Sequence, residues 1–372
     1  MKVLMLTSEY PPRIGGIATH VAELSSALRA SGVDVRVIAP PFPGAPAYDL
    51  ARPDHAVVRY APWLRTHFFY NYALKRWCQA QRRQFPFDLI HVHGLRPLTS
   101  ALAVGVPVVF TNHTSGFLQT VALGGRRLAK LGRLIREVAH VIAPSEELLS
   151  AAQAAGYGGP GMYIPNGVDI VRFSPGTDSR LRAEWQLEAK HLVVVIARRL
   201  VPKNGVLIAA HALDACVPNV RFVFAGDGPE RTALEAVLAA TGCRERAVFL
   251  GSVQNSAMPE VYRAADLCLL PSLMEATSIA GLEAMASGKV LIGTRVGGIP
   301  ALIEDSVTGI LIPPNDPPAL ASAINAFANN RDRLVRMGAA ARRRAEQRFA
   351  WPIIAARTLT IYRDVLAGSV ST

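Results

Sequence analysis

Two carboxylates, Glu275 and Glu283, flank a predicted strand-to-helix junction in the C-terminal half of the chain. An apolar run predicts a strand ahead of Glu275. Thr277 or Ser278 suits the N-cap of the next helix, which carries Glu283 and ends at Gly288. Open α/β sheets bind ligands in such loops, because the N–H groups of the helix N-terminus point into them. Two carboxylates beside an anion site suit a ligand with phosphate and hydroxyl groups, such as a sugar nucleotide.

Two further strand-to-helix loops carry groups that suit phosphate. Arg199 and Lys203 follow the predicted strand Leu192 to Ala197, and cations in such a loop can hold a diphosphate. The pair Gly15-Gly16 stands at the first strand-to-helix turn, where a backbone can approach a phosphate closely. Two simpler interpretations stay open: Arg199 and Lys203 can be ordinary surface charges, and the glycine pair can merely form a turn. The G-x-G-x-x-G pattern is missing, which argues against a dinucleotide site.

Three histidines lie near the ends of predicted strands. His91 and His93 share one face of the strand Leu89 to His93, a spacing that two metal ligands can use. No third ligand stands nearby in the sequence, so we expect no metal. His113 follows the carboxyl end of the strand Val106 to Thr111, where α/β folds place their sites. A purely structural histidine explains His113 equally well.

A basic segment, Phe117 to His140, has the pattern of an amphipathic helix. Arg126, Arg127, Lys130 and Arg133 interleave with leucines along it. Such a helix can lie on an anionic membrane leaflet and contact a lipid-linked acceptor there. A solvated surface helix has the same pattern, so both interpretations stay open.

Length and apolar content predict two domains. The chain has 372 residues, of which 50% are hydrophobic, enough for two cores. Strands, loops and helices alternate through both halves, which predicts parallel sheets in an α/β fold. We expect a Rossmann-like domain over residues 1–172, a second over 173–351, and a last helix over 352–372 that packs back on the first.

Charge and cysteine content narrow the classes of function. The net charge of +12 favours an anionic partner, and nucleic acid is not expected because no nucleic-acid-binding module is visible. An anionic substrate and a membrane surface remain. The four cysteines are scattered, which is typical of a reducing cytoplasm and not of a disulfide framework or a zinc site. No apolar run approaches the roughly 18 residues of a membrane span, and the N-terminal run is too short for a signal peptide.

Several motifs, taken in order, resemble the retaining glycosyltransferases of family 4, which have the GT-B architecture. The resemblance covers nearly the whole chain. The motifs are the Gly15-Gly16 loop, the strand ending Thr-Asn-His113, Ile-Pro-Asn-Gly-Val-Asp169, Arg199-Leu-Val-Pro with its basic loop, Gly226-Asp-Gly-Pro-Glu, Leu270-Pro-Ser, Glu275 and Glu283 with seven residues between them, Glu-Ala-Met-Ala-Ser-Gly288 and Gly297-Gly298-Ile-Pro. Each motif is weak alone, and their order and spacing are specific.

The resemblance implies two facing Rossmann-like, doubly wound parallel-sheet domains with a cleft between them. It implies that Glu283 binds the ribose hydroxyls of a nucleotide sugar, that Glu275 contacts the transferred sugar, and that His113 lies near the reacting centre, so that His113 and Glu275 are the catalytic candidates. A nucleophilic role for Glu275 is the alternative. Further donor contacts are implied for the Gly15-Gly16 backbone, for Arg199, Lys203 and Asn204 of the basic loop, and for the backbone N–H groups of Thr277, Ser278 and Ile279. No metal or other cofactor is implied.

Two departures from the family pattern bear on the donor. Asn204 occupies the usual lysine position of the basic loop, where Lys203 is the nearest substitute. Ala276 to Ile279 replaces the common Gly-Phe-Gly after the first glutamate.

The expected function is transfer of a hexosyl group from a UDP- or GDP-linked sugar to a lipid-linked, polysaccharide or other glycan acceptor. We expect the enzyme in the cytoplasm, in contact with the inner face of the membrane, and acting in cell-envelope or exopolysaccharide synthesis. The alternatives are a sugar-nucleotide 2-epimerase of the same architecture, a non-catalytic sugar-nucleotide-binding protein and, more remotely, a nicotinamide-dependent dehydrogenase.

Overall fold

The chain divides into two units, Met1–Gly167 with Trp351–Thr372, and Val168–Ala350. The computed structural model describes residues 1–13, 15–60, 67–113 and 115–369. The first division falls a few residues before the expected boundary at 172, and the second falls next to the expected boundary at 351. Each unit is described by itself.

The described part of the first unit contains a parallel sheet of seven strands. The strands are β1 Lys2–Thr7, β2 Asp34–Ala39, β3 Val57–Arg59, β4 Leu89–His93, β5 Val108–Thr111, β6 His140–Ala143 and β7 Gly161–Tyr163. The helices between them are α1 Gly16–Ala30, α2 Ala45–Leu50, α3 His67–Gln84, α4 Leu98–Leu102, α5 Ser115–Leu123, α6 Gly125–Ile135 and α7 Glu146–Ala154. The spatial order is β3-β2-β1-β4-β5-β6-β7, and all neighbours are parallel.

The second unit repeats this arrangement with six strands. The strands are β8 Leu192–Ile196, β9 Val220–Ala225, β10 Ala247–Gly251, β11 Leu267–Leu270, β12 Val290–Thr294 and β13 Gly309–Ile312. The helices are α8 Ser179–Glu184, α9 Val206–Asp214, α10 Arg231–Ala240, α11 Met258–Ala264, α12 Ile279–Ala286, α13 Ile299–Leu302, α14 Pro317–Ala328 and α15 Arg331–Arg348. The order β10-β9-β8-β11-β12-β13 is again parallel throughout.

The last helix, α16 Trp351–Ser369, belongs to the first unit and packs along α1. Ile354, Ile361 and Tyr362 of α16 are buried in the same apolar cluster as Val21 and Leu24 of α1. The C-terminal segment thereby covers one face of the N-terminal sheet.

The strands are apolar on both faces because helices cover both sides of each sheet. In β8, Leu192, Val194 and Ile196 enter one cluster, whereas Val193 and Val195 enter another. All five side chains are fully buried. The predicted fold class, two Rossmann-like α/β domains with parallel sheets, is therefore confirmed.

In each sheet the order in which successive strands are added reverses once, and folds of this kind bind their ligands at that point. The connections reverse between β1 and β4 in the first sheet and between β8 and β11 in the second. Loops on the two sides of such a point run in opposite directions and leave a crevice at the carboxyl ends of the strands. Residues just after these four strands are the first candidates for a site.

The basic segment Phe117 to His140 differs from the single helix predicted for it. It forms α5 and α6, and only its last residue enters β6. Gly124 lies between the two helices and Gly125 begins α6, and both have left-handed φ angles, of 63° and 67°. Glycine adopts this region without steric cost, so the pair ends α5 although the apolar pattern continues across it.

Candidate active site

A guanidinium and a carboxylate meet at the switch point of the C-terminal unit. Arg198 lies two residues beyond β8, Glu275 lies five residues beyond β11, and the two side chains form an ion pair. The arginine also donates hydrogen bonds to Asn204 Oδ1 at 2.7 Å and to Ser278 Oγ at 3.0 Å. Only 9% of the arginine side chain and 17% of the glutamate side chain are exposed. Such a partly desolvated cation is well suited to hold a phosphate group.

Arg198 was not predicted from the sequence. Two arginines follow β8, and the one for which the sequence predicted a donor contact, Arg199, proves to be exposed. Lys203 is also exposed, and its backbone carbonyl accepts hydrogen bonds from the N–H groups of Leu273 and Met274 at 2.8 and 3.2 Å. The donor roles of Arg199 and Lys203 stay predictions. The adjacency of two arginines is the only sequence signal, and it does not tell which one turns inward.

Asn204, the departure from the family's lysine, is part of the same network. It is buried, and its Nδ2 donates to the backbone carbonyl of Arg199 at 2.7 Å while its Oδ1 accepts from Arg198. The asparagine therefore joins both ends of the loop after β8 and orients Arg198.

Glu283 lies inside α12 with a side chain that two neighbours fix. Its residue is 5% exposed, Oε1 accepts from Asn255 Nδ2 at 3.2 Å, and Oε2 accepts from the Tyr262 hydroxyl group at 3.1 Å. Burial and the carboxylate raise the pKa of Tyr262 well above its usual value, so the phenol keeps its proton and donates. A carboxylate held in this way is a preorganised hydrogen-bond acceptor.

The loop between the two glutamates is tightly built. Of the two predicted N-cap residues, Ser278 caps α12, and its Oγ accepts a hydrogen bond from Gly281 N at 3.1 Å. Thr277 and Ser278 are buried, and Ile279 opens the helix. Gly298 lies against this loop, because a Cβ atom on it would be 1.7 Å from the carbonyl oxygen of Ala276. The positive end of the α12 dipole is thereby held beside Glu275.

Three histidines meet at the switch point of the N-terminal unit. His20 comes from α1, His93 ends β4 and His113 follows β5 by two residues. His93 Nδ1 lies 3.1 Å from His113 Nε2, and His20 Nδ1 lies 2.8 Å from Asn166 Oδ1. Burial lowers the pKa of His20 to about 4 and those of His93 and His113 well below 6.5. The three imidazoles are therefore neutral near pH 7.

The sequence-based pairing of His91 with His93 was incomplete. His91 is fully occupied, with Nδ1 2.6 Å from the Tyr362 hydroxyl group and Nε2 2.7 Å from Thr111 Oγ1. It is a structural residue. The ring of His93 lies beside that of His91, with centroids 4.1 Å apart, and it also lies near His20 of α1 and His113.

The remaining predicted residues lie elsewhere in the first unit. Gly15 has an extended backbone and Gly16 begins α1. Arg126, Arg127, Lys130 and Arg133 are all exposed on α6, and none of them forms an ion pair among the described residues. Their roles stay predictions. Within residues 1–13, 15–60, 67–113 and 115–369, no helix has the length and apolar character needed to cross a membrane.

Comparison with known proteins shows to which family the chain is related. Residues 178–344 match the family of glycosyl transferases group 1, and residues 14–172 match glycosyltransferase family 4. An alpha-maltose-1-phosphate synthase of Mycolicibacterium smegmatis is 30% identical, over 99% of this chain and 100% of that protein. A D-inositol 3-phosphate glycosyltransferase of Xylanimonas cellulosilytica is 28% identical, over 94% of this chain and 91% of that protein.

A solved structure has the same fold. The structure of HepE from Anabaena in complex with UDP-glucose matches with a TM-score of 0.80 and 23% identity, over 100% of both chains. The order of the motifs, the two parallel sheets and the curated relatives agree, and they confirm the predicted enzyme class, a glycosyltransferase. The chain belongs to glycosyltransferase family 4.

Proposed function

We propose that this glycosyltransferase moves a hexosyl group from a UDP- or GDP-linked sugar to a lipid-linked, polysaccharide or other glycan acceptor, with retention of configuration at the anomeric carbon. The observation that carries the proposal is the grouping of Arg198, Glu275 and Glu283 around the loop after β11. The UDP-glucose in the HepE structure supports a nucleoside diphosphate sugar as the donor.

The cation and the helix dipole suit the leaving group. When the bond from the sugar to the diphosphate breaks, negative charge develops on a phosphate oxygen. Arg198 presents a largely buried guanidinium that Asn204 and Ser278 already orient, and the N-terminus of α12 begins beside it. Groups that are fixed before the reaction stabilise such charge without reorganising, and the loss of one typically costs about 2.7–4 kcal/mol in the activation barrier.

The two glutamates suit the two polar parts of the donor. Glu283 is held by Tyr262 and Asn255, and a carboxylate accepts up to about four hydrogen bonds, so ribose hydroxyl groups can add to these contacts. Glu275 is oriented by Arg198 and is assigned to the hydroxyl groups of the transferred sugar. In this assignment neither glutamate needs to act as a nucleophile.

Retention follows if the acceptor attacks on the face that the diphosphate leaves. The departing phosphate oxygen then takes the acceptor's proton. We assign His113 to the reacting centre and the Gly15-Gly16 backbone to the phosphates, on the strength of the family resemblance. His113 is half-buried and neutral near pH 7, so its ring can either accept a hydrogen bond from a sugar hydroxyl group or donate one to it.

The acceptor is assigned to the N-terminal unit, beside a membrane surface. Arg126, Arg127, Lys130 and Arg133 expose their charges on α6, and Leu123 at the end of α5 is 76% exposed. Cationic side chains next to an exposed leucine suit an anionic leaflet, where lipid-linked acceptors reside. This placement supports a role in cell-envelope or exopolysaccharide synthesis.

A thermal-shift screen against UDP, GDP, ADP and NAD⁺ tests the donor class first. A ligand at 100 times its dissociation constant adds about 2.7 kcal/mol of stability, which shifts the unfolding midpoint measurably. We expect a shift with UDP or GDP and none with NAD⁺. A shift with NAD⁺ alone, or none with any of the four, would overturn the donor assignment.

Release of the nucleoside diphosphate from the matching sugar donor tests transfer. We expect release that depends on a glycan or lipid acceptor, and a product whose anomeric configuration, read by NMR, equals that of the donor. An inverted product would refute retention, and a donor epimerised without release would point to the 2-epimerase class.

A further inference from the structure

The segment from Pro41 to Ala51, which follows β2 and includes α2, exposes only apolar residues. Phe42 is 40% exposed and Leu50 is 83% exposed. The exposed residues of the segment, which we call the α2 patch, are Pro41, Phe42, Pro43, Gly44, Pro46, Ala47, Leu50 and Ala51. A surface helix of a soluble domain normally turns its polar side to water. An exposed face without one polar side chain is therefore a candidate contact surface.

The other side chains of the segment are occupied within the N-terminal unit. Both carboxylate oxygens of Asp49 accept hydrogen bonds from Arg59 at 2.7 Å. The half-buried ring of Tyr48 lies under the guanidinium group of Arg52, 4.3 Å from its centroid, and Ala45 is buried. These contacts orient α2 with its apolar side outward.

The backbone of the segment suits an environment without water. Pro40, Pro41, Pro43 and Pro46 have no N–H group. Four further N–H groups donate to carbonyl oxygens of the segment itself at 3.0–3.1 Å, and they belong to Ala45, Tyr48, Ala51 and Arg52. Unpaired backbone donors are costly in hydrocarbon, whereas a protein interface typically forms about one hydrogen bond per 100–200 Å². A segment so poor in free donors is better suited to lipid than to a protein partner.

The position of the α2 patch also favours a membrane. Arg52, directly after the patch, is exposed. The segment leaves the carboxyl end of β2, and α5 leaves the carboxyl end of β5. The sheet is parallel and its order is β2-β1-β4-β5 in this part, so both depart from one edge, roughly 14 Å apart at about 4.8 Å per strand. Leu123 and the basic helix α6 follow from the second of these points. Apolar side chains near cations are typical of surfaces that lie in a membrane interface.

We propose that the α2 patch inserts into the boundary between the headgroups and the acyl chains of an anionic membrane leaflet. Phe42 and Leu50 are the inserted side chains, and Arg52 lies at the level of the lipid phosphates. In this arrangement α6 attracts the protein to the leaflet by charge, whereas the α2 patch fixes its depth. The inference deepens the membrane contact of the proposed function and rests on it. Its test uses no donor sugar, so its failure is distinguishable from a failure of glycosyl transfer.

An environment-sensitive probe on the full-length protein tests the insertion. The four native cysteines are buried, so an NBD maleimide label reacts with a new surface thiol, and the wild-type protein checks this selectivity. Labelled Leu50→Cys is mixed with vesicles of phosphatidylcholine and phosphatidylglycerol in equal parts. We expect a blue shift of the emission and quenching by lipids that carry a nitroxide on the acyl chain. Val335→Cys, at a position of α15 that is 71% exposed, is the control and should show neither effect.

Vesicle sedimentation of unlabelled variants measures the contribution of the patch to binding. Phe42→Ser combined with Leu50→Ser should weaken binding about 10- to 100-fold, because two apolar side chains no longer leave water. The matched control is Val307→Ser combined with Val335→Ser, since both valines are exposed in the C-terminal unit. Circular dichroism and the unfolding midpoint check folding, and Leu50→Ser alone replaces the double variant if that variant does not fold.

Three results would overturn the proposal. The first is quenching at Leu50→Cys no greater than at Val335→Cys. The second is full vesicle binding by the folded patch variant, which would leave the patch to a protein partner. The third is a dimer in light scattering that the patch variant converts to a monomer, because a second copy of the chain would then cover the patch.

Discussion

Arg198 donates a hydrogen bond to Oδ1 of Asn204 at 2.7 Å, across the loop that follows β8. The resemblance to family 4 places a lysine at position 204, and the asparagine cannot carry its charge. The same guanidinium contacts Glu275 and Ser278, at the start of α12. The buried positive charge of this loop is therefore supplied by Arg198, and Asn204 orients it.

The first prediction follows from this relationship. Arg198→Ala should lower kcat by about 10²- to 10³-fold, because one preorganised donor to the leaving group is lost. Steady-state kinetics with the nucleotide sugar identified by the thermal-shift screen measure the effect. Arg199→Ala tests the sequence-based choice, and Arg336→Ala, at an exposed position of α15, is the control. A large loss in Arg199→Ala with full activity in Arg198→Ala would reverse our assignment.

The second prediction concerns Glu283 and its two supports. Glu283→Ala removes the acceptor assigned to the ribose hydroxyls, and at about 1 kcal/mol for each of two hydrogen bonds nucleotide affinity should fall roughly 10- to 100-fold. Tyr262→Phe and Asn255→Ala each remove one group that fixes the carboxylate, so smaller losses are expected. Calorimetry with the nucleoside diphosphate measures all three. Unchanged affinity in Glu283→Ala would rule out the ribose role.

Local signals in the sequence were enough to predict the loop between the two glutamates. Ser278 caps α12 and Gly288, with φ 71°, follows the end of that helix, as their residue types predict. Capping and left-handed turns depend on a few neighbouring residues, so they can be predicted from one chain segment. The N-cap at Ser278 also places Glu275 in the loop before α12 and Glu283 inside the helix.

Contacts between distant segments could not be predicted in this way. His20 lies in an amphipathic helix and has the pattern of a core residue, and its approach to His93 depends on β1 pairing with β4. The choice between Arg198 and Arg199 depends on Asn204 and Glu275, which no local pattern links to β8. The sequence contains a glycine pair at the break between α5 and α6, at Gly124. The apolar pattern continues across this pair, however, and it predicted one uninterrupted helix.

The third prediction concerns the close packing of Gly298 against the loop before α12. In Gly298→Ala the new methyl group would lie 1.7 Å from the Ala276 carbonyl oxygen, so the loop that carries Glu275 must move. We expect a loss of about 1–3 kcal/mol of stability and a clear fall in kcat/KM. Gly368→Ala is the matched control, because among the described residues no heavy atom outside its own stretch of helix lies within 4 Å of the added methyl group, and alanine favours a helix. Equal activity of the two variants would contradict the tight packing.

The fourth prediction separates chemistry from donor binding. His113→Ala should lower kcat far more than it lowers affinity for the nucleotide sugar, because His113 is assigned to the reacting centre and the donor's main contacts lie in the C-terminal unit. Turnover is measured by steady-state kinetics and donor affinity by calorimetry. His91→Phe is not a suitable control, since His91 bonds to Tyr362 and Thr111. Equal losses of turnover and donor affinity would argue against the catalytic assignment.

The fifth prediction concerns the basic face of α6. Reversing Arg126, Arg127 and Arg133 to glutamate should lower sedimentation with anionic vesicles, since each cation near such a surface contributes about 1 kcal/mol. Three reversals therefore weaken partitioning by on the order of 100-fold or more. Binding of the wild-type protein should also fall as salt rises, because counterions screen the surface charge.

The control for this experiment keeps the same change in net charge. Arg336, Arg343 and Arg348 are exposed on α15, and reversing them to glutamate should leave vesicle binding nearly intact if α6 is the contact surface. Uncharged phosphatidylcholine vesicles separate charge from the apolar contribution of Leu123, which is 76% exposed. If the two triple variants lose binding equally, net charge alone drives the association, and α6 is then a solvated surface helix.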